Sequence, residues 1–202
     1  MTNSVKVRKV TSDYFTRPVV KLLARTPLTP NTITWLGFLI TVGAAILVVT
    51  DNLFAAGFVV LIAGFFDMLD GALARTTNRT TRFGAVLDST LDRLSEAVLL
   101  LAILVIYTRG QQVAESLLVG IALLGSLLVS YIRARTEALG IECKVGLFTR
   151  PERVIILALG LLLSQFDYAL IIALAIITLF SFFTVGQRLL YAWRQTKNSK
   201  VN

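Results

Sequence analysis

The sequence contains no histidine and a single cysteine, Cys143. The first absence removes His-based triads, haem ligation and most zinc sites. The second removes any intramolecular disulfide and any Cys-rich metal centre. Charged residues are also scarce, at 16% of the chain, where a soluble domain usually carries about 25%. Internal repeats and low-complexity tracts are absent. The opening MTNSVKVRKV carries positive charge with no apolar stretch directly after it, so it does not read as a cleaved signal peptide. Acid–base or metal chemistry is left to carboxylates, Lys, Arg or Tyr.

Apolar residues are what the chain has in excess: 55% of 202 residues, with a mean hydropathy of +0.75. A membrane solvent accounts for this more simply than an unusually large core. The net charge of +8 is of the kind that often marks a nucleic-acid binder. In so apolar a chain it points instead to anionic lipid head groups or phosphorylated substrates. Uncharged runs cover residues 31–50, 52–66, 97–108, 116–132, 154–166 and 168–187, and predict an all-α integral membrane protein with six transmembrane helices. Small residues such as Gly43, Gly57, Gly64, Gly120 and Gly125 would let these helices approach closely. With six spans, eighteen of the twenty Lys and Arg residues fall on one side, which places both termini in the cytoplasm. The expected location is the plasma membrane.

The second, third and fifth runs are too short to span alone. Each must be completed by a charged stretch at its cytoplasmic end. Such charges face a bundle interior or a water-filled cavity, so a polar cavity open to the cytoplasm is expected among helices 2, 3 and 5 and the end of helix 4. The expected division is a juxtamembrane amphipathic surface helix in residues 1–27, a six-helix domain over 28–194, and a frayed tail over 195–202.

The richest segment is FFDMLDGALARTTNRTTRFGAVLDSTLDR. Asp67 and Asp70 are three apart, Asp88 and Asp92 four apart, and both spacings put the pair on one helix face. A short basic loop turns the chain back between them, so the two faces can meet. Four converging carboxylates repel unless cations sit among them, and hard oxygen ligands favour Mg²⁺, Mn²⁺ or Ca²⁺. The alternative is four acids held as structural ion pairs by Arg75, Arg82 and Arg93. Gly71 and Ala74, beside Asp70, would leave room for a base or a pyrophosphate to touch the backbone.

The pattern Asp67-x2-Asp70-Gly71-x2-Ala74-Arg75-x8-Gly84-x3-Asp88-x3-Asp92 resembles the complete signature of the CDP-alcohol phosphotransferase family. The segment LTPNTITWLGF, residues 28–38, resembles the stretch by which its members open their first span and approach the nucleotide. The resemblance implies that Asp67, Asp70, Asp88 and Asp92 hold two Mg²⁺ or Mn²⁺ ions, and that Asp92 is the general base. It implies CDP-lipid contacts from Pro30, Asn31, Thr34, Gly71, Ala74, Arg75 and Arg82. The reaction implied is displacement of CMP by a substrate hydroxyl. A homodimer is also implied.

Arg133 ends helix 4, Arg150 and Arg153 open helix 5 around Pro151, and Arg188 lies at the cytoplasmic end of helix 6. Each alone reads as a positive-inside anchor; together around a cavity they read as a phosphate pocket. The run DSTLDRLSEA, Tyr131-x-Arg133-Ala134-Arg135-x-Glu137 and Arg150-Pro151-Glu152-Arg153 resemble the phosphatidylinositol phosphate synthase branch. This implies an inositol phosphate acceptor gripped by Arg133, Arg153 and Arg188, with CDP-diacylglycerol or a similar CDP-lipid as donor. Arg133 stands where that branch often has Lys. A glycerol 3-phosphate acceptor ranks second. Outside enzymes, the rival is a cation-coupled transporter. Its intramembrane acids would be shared, whereas the internal repeats common in transporters are missing here.

Overall fold

The computed structural model describes residues 19–20, 28–77 and 79–198. Among them are six helices longer than a single turn and no strand. We number them α1 (Pro30–Val49), α2 (Leu53–Thr76), α3 (Arg82–Arg109), α4 (Val113–Ala138), α5 (Arg150–Leu162) and α6 (Ala169–Asn198). Three of them open on threonine caps, which satisfy amide groups that the first turn leaves without partners. Thr29 Oγ1 accepts from the Thr32 amide at 3.2 Å and Thr81 Oγ1 from the Gly84 amide at 2.9 Å. At α5 the Thr149 amide donates to Glu152 Oε2 at 2.9 Å, a capping-box contact, and Pro151 suits the first turn.

The helices close into a ring. Helix α1 packs on α2 and α3, α2 on α5, α5 on α6, α6 on α4, and α4 on α3. The spatial order is therefore 1-2-5-6-4-3, and α5 is wedged between α2 and α6. Glycine sets this wedge. A Cβ on Gly57 would lie 2.8 Å from Leu162 Cγ, 2.9 Å from the Leu162 amide nitrogen and 3.0 Å from the Ala158 carbonyl oxygen, so α2 and α5 touch there through bare backbone. The main core joins Val48, Val60, Leu100, Ile103, Ala122, Leu161, Leu174 and Ile177 from all six helices. A smaller cluster joins Val20, Ile33, Leu69 and Leu73.

The outer face carries Leu39, Ile46, Phe58, Ile62, Leu101, Ile121, Leu124, Leu179 and Phe183, all exposed. So many outward aliphatic and aromatic side chains need hydrocarbon as solvent. Four helices, α1, α2, α4 and α6, are long and apolar enough to cross a membrane.

This is fewer than the six spans expected from the sequence. Helix α3 is long, at 28 residues, but Asp88, Asp92, Arg93 and Glu96 interrupt its apolar surface. Helix α5 has 13 residues, about 20 Å of axial length, and bears Arg150, Glu152 and Arg153 in its first turn. The charged stretches expected to complete the short apolar runs are thus present; they keep α3 below the composition of a membrane span, and α5 falls short by length. The expected amphipathic helix in residues 1–27 lies almost wholly outside the described residues. The tail expected over 195–202 is helical as far as Asn198, and the rest of it lies outside the described residues.

Candidate active site

The four signature aspartates all lie where α2 ends and α3 begins. Asp70 is the most enclosed, 4% exposed. One of its carboxylate oxygens accepts from the Gly71 amide, and the other, Oδ2, is buried with no hydrogen-bond partner. Asp67 packs against α1, where a Cβ on Gly37 would sit 3.0 Å from its Oδ1. A side chain at position 37 would push into that carboxylate.

The cation that meets these acids comes from α5. Arg150 donates to Asp67 Oδ2 at 2.7 Å and to Asp92 Oδ1 at 2.6 Å, and so joins α2, α3 and α5 at one point. Ion pairs from Arg75, Arg82 or Arg93 to the four aspartates do not occur among the described residues; Arg93 donates to the Ser89 carbonyl on its own helix. One turn deeper, a second guanidinium–carboxylate pair repeats the α3–α5 tie. Arg153 Nε and Nη2 donate to Glu96 Oε1 and Oε2 at 2.6 and 2.8 Å. A cavity of about 20 Å³ is lined in part by Asp67, Arg150, Glu96 and Arg153.

Two larger cavities flank the aspartates. The first, about 170 Å³, is lined by Pro30, Asn31 and Thr34 of α1, by Asp70, Gly71, Ala74 and Arg75 of α2, by Arg79, Thr80 and Thr81, and by Gly84, Ala85 and Asp88 of α3. The amino termini of α1 and α3 both open onto it, a favourable field for an anion. The second, about 470 Å³, is lined by Asp88, Asp92, Arg93 and Glu96 of α3, by Arg133 and Glu137 of α4, by Arg150 and Arg153 of α5, and by Arg188 of α6. Asp88 and Ala85 line both cavities. Asp88 therefore stands at the wall where a molecule in one would meet a molecule in the other.

The arginines of the second cavity are held differently. Arg188 is 3% exposed and donates from Nε to the Val145 carbonyl at 2.9 Å and from Nη1 to the Val129 carbonyl. Arg133 is on the rim and donates to Glu137 at 2.9 Å within its own helix. Gly146, at φ 138°, permits the Arg188 contact. A Cβ there would lie 3.1 Å from Arg188 Nε, and the φ itself strains any other residue.

Comparison with known proteins identifies the family. The family profile described as CDP-alcohol phosphatidyltransferase matches residues 27–186. The chain belongs to the CDP-alcohol phosphatidyltransferase family. Within it, the archaetidylinositol phosphate synthase of Methanothermobacter thermautotrophicus is 40% identical over 189 residues, covering 90% of this chain and 94% of that one. A phosphatidylinositol phosphate synthase of Mycobacterium tuberculosis is 38% identical over 187 residues, covering 88% and 85%. The crystal structure of the M. tuberculosis enzyme with CDP-DAG bound superposes with a TM-score of 0.81 at 38% identity, over 88% of this chain and 93% of that one. The structure of the same enzyme with manganese and citrate has a TM-score of 0.81 at 37% identity, over 88% of each chain.

Against this family background the placement of the predicted site residues is clear. Pro30, Asn31, Thr34, Gly71, Ala74 and Arg75 share the first cavity, whereas Arg82 is exposed and outside its lining. Arg133, Arg153 and Arg188 share the second. Reading the sequence alone missed Arg79, Thr80 and Thr81 in the first cavity, the bridge from Arg150, and Glu96. The available signal for Glu96 was its spacing of four from Asp92, which puts both carboxyls on one face of α3. As the side chains stand, no three His, Cys, Asp or Glu groups converge tightly enough to hold a metal ion among the described residues. Asp67 and Asp92 are turned onto Arg150 instead.

Proposed function

We propose that this protein transfers the phosphatidyl-type group of a CDP-linked lipid to a hydroxyl of inositol phosphate, with release of CMP. The observation that carries this reading is the position of Asp88 between two cavities. One of them has the build of a nucleotide–diphosphate site. The other is walled by Arg133, Arg153 and Arg188 and suits a phosphorylated acceptor. The two relatives differ in the lipid named, archaetidyl or phosphatidyl, and agree on inositol phosphate, which supports the acceptor more strongly than the lipid.

In this reading the CDP part lies against Gly71 and Ala74, with Arg75 hydrogen-bonding a diphosphate oxygen and the amino termini of α1 and α3 facing its charge. The acceptor enters the second cavity with its phosphate toward the arginines and a hydroxyl toward Asp92. Asp92 takes the hydroxyl proton as the oxygen attacks the lipid-side phosphorus. The bond from that phosphorus to the CMP oxygen breaks, and the electron pair leaves with CMP. The donor set fits a hard divalent cation: Asp67, Asp70, Asp88 and Asp92 offer oxygen only, and Asp70 Oδ2 is buried without a partner. Bound there, two Mg²⁺ or Mn²⁺ ions would supply neutralising charge to the diphosphate and to the leaving CMP. A relative of this fold contains manganese. Holding such ions requires Asp67 and Asp92 to turn from Arg150.

The same reading gives all six helices to the membrane, with α3 and α5 carried by their neighbours. It places both termini and the cavities on the cytoplasmic face of the plasma membrane, where the basic residues gather, and takes the protein to be a homodimer.

The test is an assay of purified protein with CDP-diacylglycerol or the corresponding CDP-linked archaetidyl lipid. Each is paired with inositol phosphate, free inositol, glycerol 3-phosphate or serine, and CMP release and lipid product are followed. Inositol phosphate should be the best acceptor. A higher rate with free inositol or serine would overturn the phosphate pocket, and a higher rate with glycerol 3-phosphate would reassign the acceptor.

A further inference from the structure

Arg153 presents a problem that its expected role does not explain. A guanidinium 1% exposed cannot be left alone in a membrane-embedded bundle, because an uncompensated buried charge is strongly destabilising. The compensation comes from Glu96, itself 7% exposed, which takes Nε and Nη2 in a bidentate pair. That pair uses one edge of the planar guanidinium. The remaining nitrogen, Nη1, is buried with no hydrogen-bond partner among the described residues. Both residues line the acceptor cavity.

We propose that Glu96 is a positioning residue for the acceptor. By holding one edge of Arg153 through both carboxylate oxygens, it fixes the guanidinium in a single orientation and reserves the Nη1 edge for the acceptor's phosphate. This rests on the phosphorylated-acceptor reading above. It deepens that reading by dividing the cavity into a fixed floor and a movable rim. Arg153 and Arg188 are buried and anchored, the first by Glu96 and the second by the Val145 and Val129 carbonyls. Among the described residues, Arg133 is bound only to Glu137, in an exposed pair one helical turn away, and exposed pairs of this kind are weak. A long side chain loses rotamer freedom when it binds; Arg153 has lost that freedom before the acceptor arrives. Glu96 also follows Asp92 by one turn of α3, so the group that orients the acceptor's phosphate and the group that would take its proton share one rigid helix.

The experiment is steady-state kinetics with inositol phosphate as varied acceptor on Glu96→Gln, Arg153→Gln and the double variant, alongside CDP-lipid KM and thermal stability. Glu96→Gln keeps the volume and removes the carboxylate. It should raise the acceptor KM at least about tenfold while the CDP-lipid KM changes less than about twofold. Glu96→Asp should recover part of the loss. The double variant should have the same acceptor KM as Arg153→Gln alone, because Glu96 acts through Arg153. If Arg153→Gln raises the acceptor KM and Glu96→Gln does not, the positioning role is refuted and the acceptor pocket stands. If Arg153→Gln leaves the acceptor KM unchanged, the pocket reading itself fails. Multiplying effects in the double variant, or equal changes in both KM values with lowered thermal stability, reduce Glu96 to a structural tie and also refute the proposal. Should Glu96→Gln yield no folded protein, Glu96→Asp is read by the same criteria.

Discussion

Arg150 reaches from the first turn of α5 to Asp92 on α3, with Nη1 and Oδ1 2.6 Å apart. Its other terminal nitrogen meets Asp67 on α2 at 2.7 Å. Three helices are thereby joined by one cation among the signature acids. The arginine occupies the electrostatic role that a divalent ion would take, and in the proposed metal site the two would compete for the same oxygens.

Removing that competitor gives a measurable result. Arg150→Gln frees Asp67 and Asp92, so Mn²⁺ titrated into substrate-free protein and followed by EPR should bind several-fold more tightly than to the wild type. The same variant leaves two acids without their cation when metal is absent. Its thermal midpoint in chelator should fall by a few degrees, roughly what 1–2 kcal/mol means for a chain of this size, and Mn²⁺ should restore it. Unchanged Mn²⁺ affinity would mean that Arg150 does not contest the site.

Activity should vanish in excess chelator and return with Mg²⁺ or Mn²⁺. Four oxygen-only carboxylates with no histidine in the chain suit hard cations and give softer ones little advantage. Full turnover in chelator would remove the metal from the reaction.

Asp92 and Asp70 should fail in different ways. Asp92→Asn loses the proposed base, and turnover should fall by about 10²–10⁴-fold with CDP-lipid binding largely kept. Asp70→Asn acts on the buried carboxylate beside Gly71 and should weaken both metal and nucleotide binding. Near-normal turnover by Asp92→Asn would move the base elsewhere.

The α2–α5 contact should be intolerant of side chains. Gly57→Leu forces atoms into the space between Gly57 and the backbone of Ala158 and Leu162, and overpacking of this kind costs about 1–3 kcal/mol. Thermal aggregation in detergent should begin several degrees lower than in the wild type. At Gly43, where a Cβ would meet nothing within 4 Å, Gly43→Ala should leave that temperature unchanged.

The parts legible in the sequence are those encoded at short range. Asp67 with Asp70 and Asp88 with Asp92 share helix faces by their spacing alone. The α2–α3 hairpin needed only the short basic loop between them. What spacing does not convey is that α5 inserts between α2 and α6. The Arg153–Glu96 pair joins residues 57 positions apart, and Arg150 meets Asp67 for the same topological reason. From the sequence, the acids were expected to hold metal ions, the arginines weighed as their alternative partners were the nearby Arg75, Arg82 and Arg93, and Arg153 read as a phosphate ligand with no carboxylate partner of its own. Of the six expected spans, four have the length and composition of a membrane helix; α3 is interrupted by charge and α5 is only 13 residues long, because those apolar runs continue into charged turns.

The shortness and charge of α5 bear on how the protein is made. A 13-residue segment opening on Arg150, Glu152 and Arg153 is a poor candidate for independent insertion by a translocon, since it is shorter than the roughly 20 apolar residues a span needs and its first turn is charged. Its neutralising partners, Asp67, Asp92 and Glu96, belong to segments synthesised earlier. In the six-span reading, seating α5 would therefore draw on an acidic cradle made before it, a task for the carboxylates that precedes any substrate. Fused alone to a glycosylation reporter, α5 should stay out of the bilayer, and co-expressed residues 1–138 should bring it in.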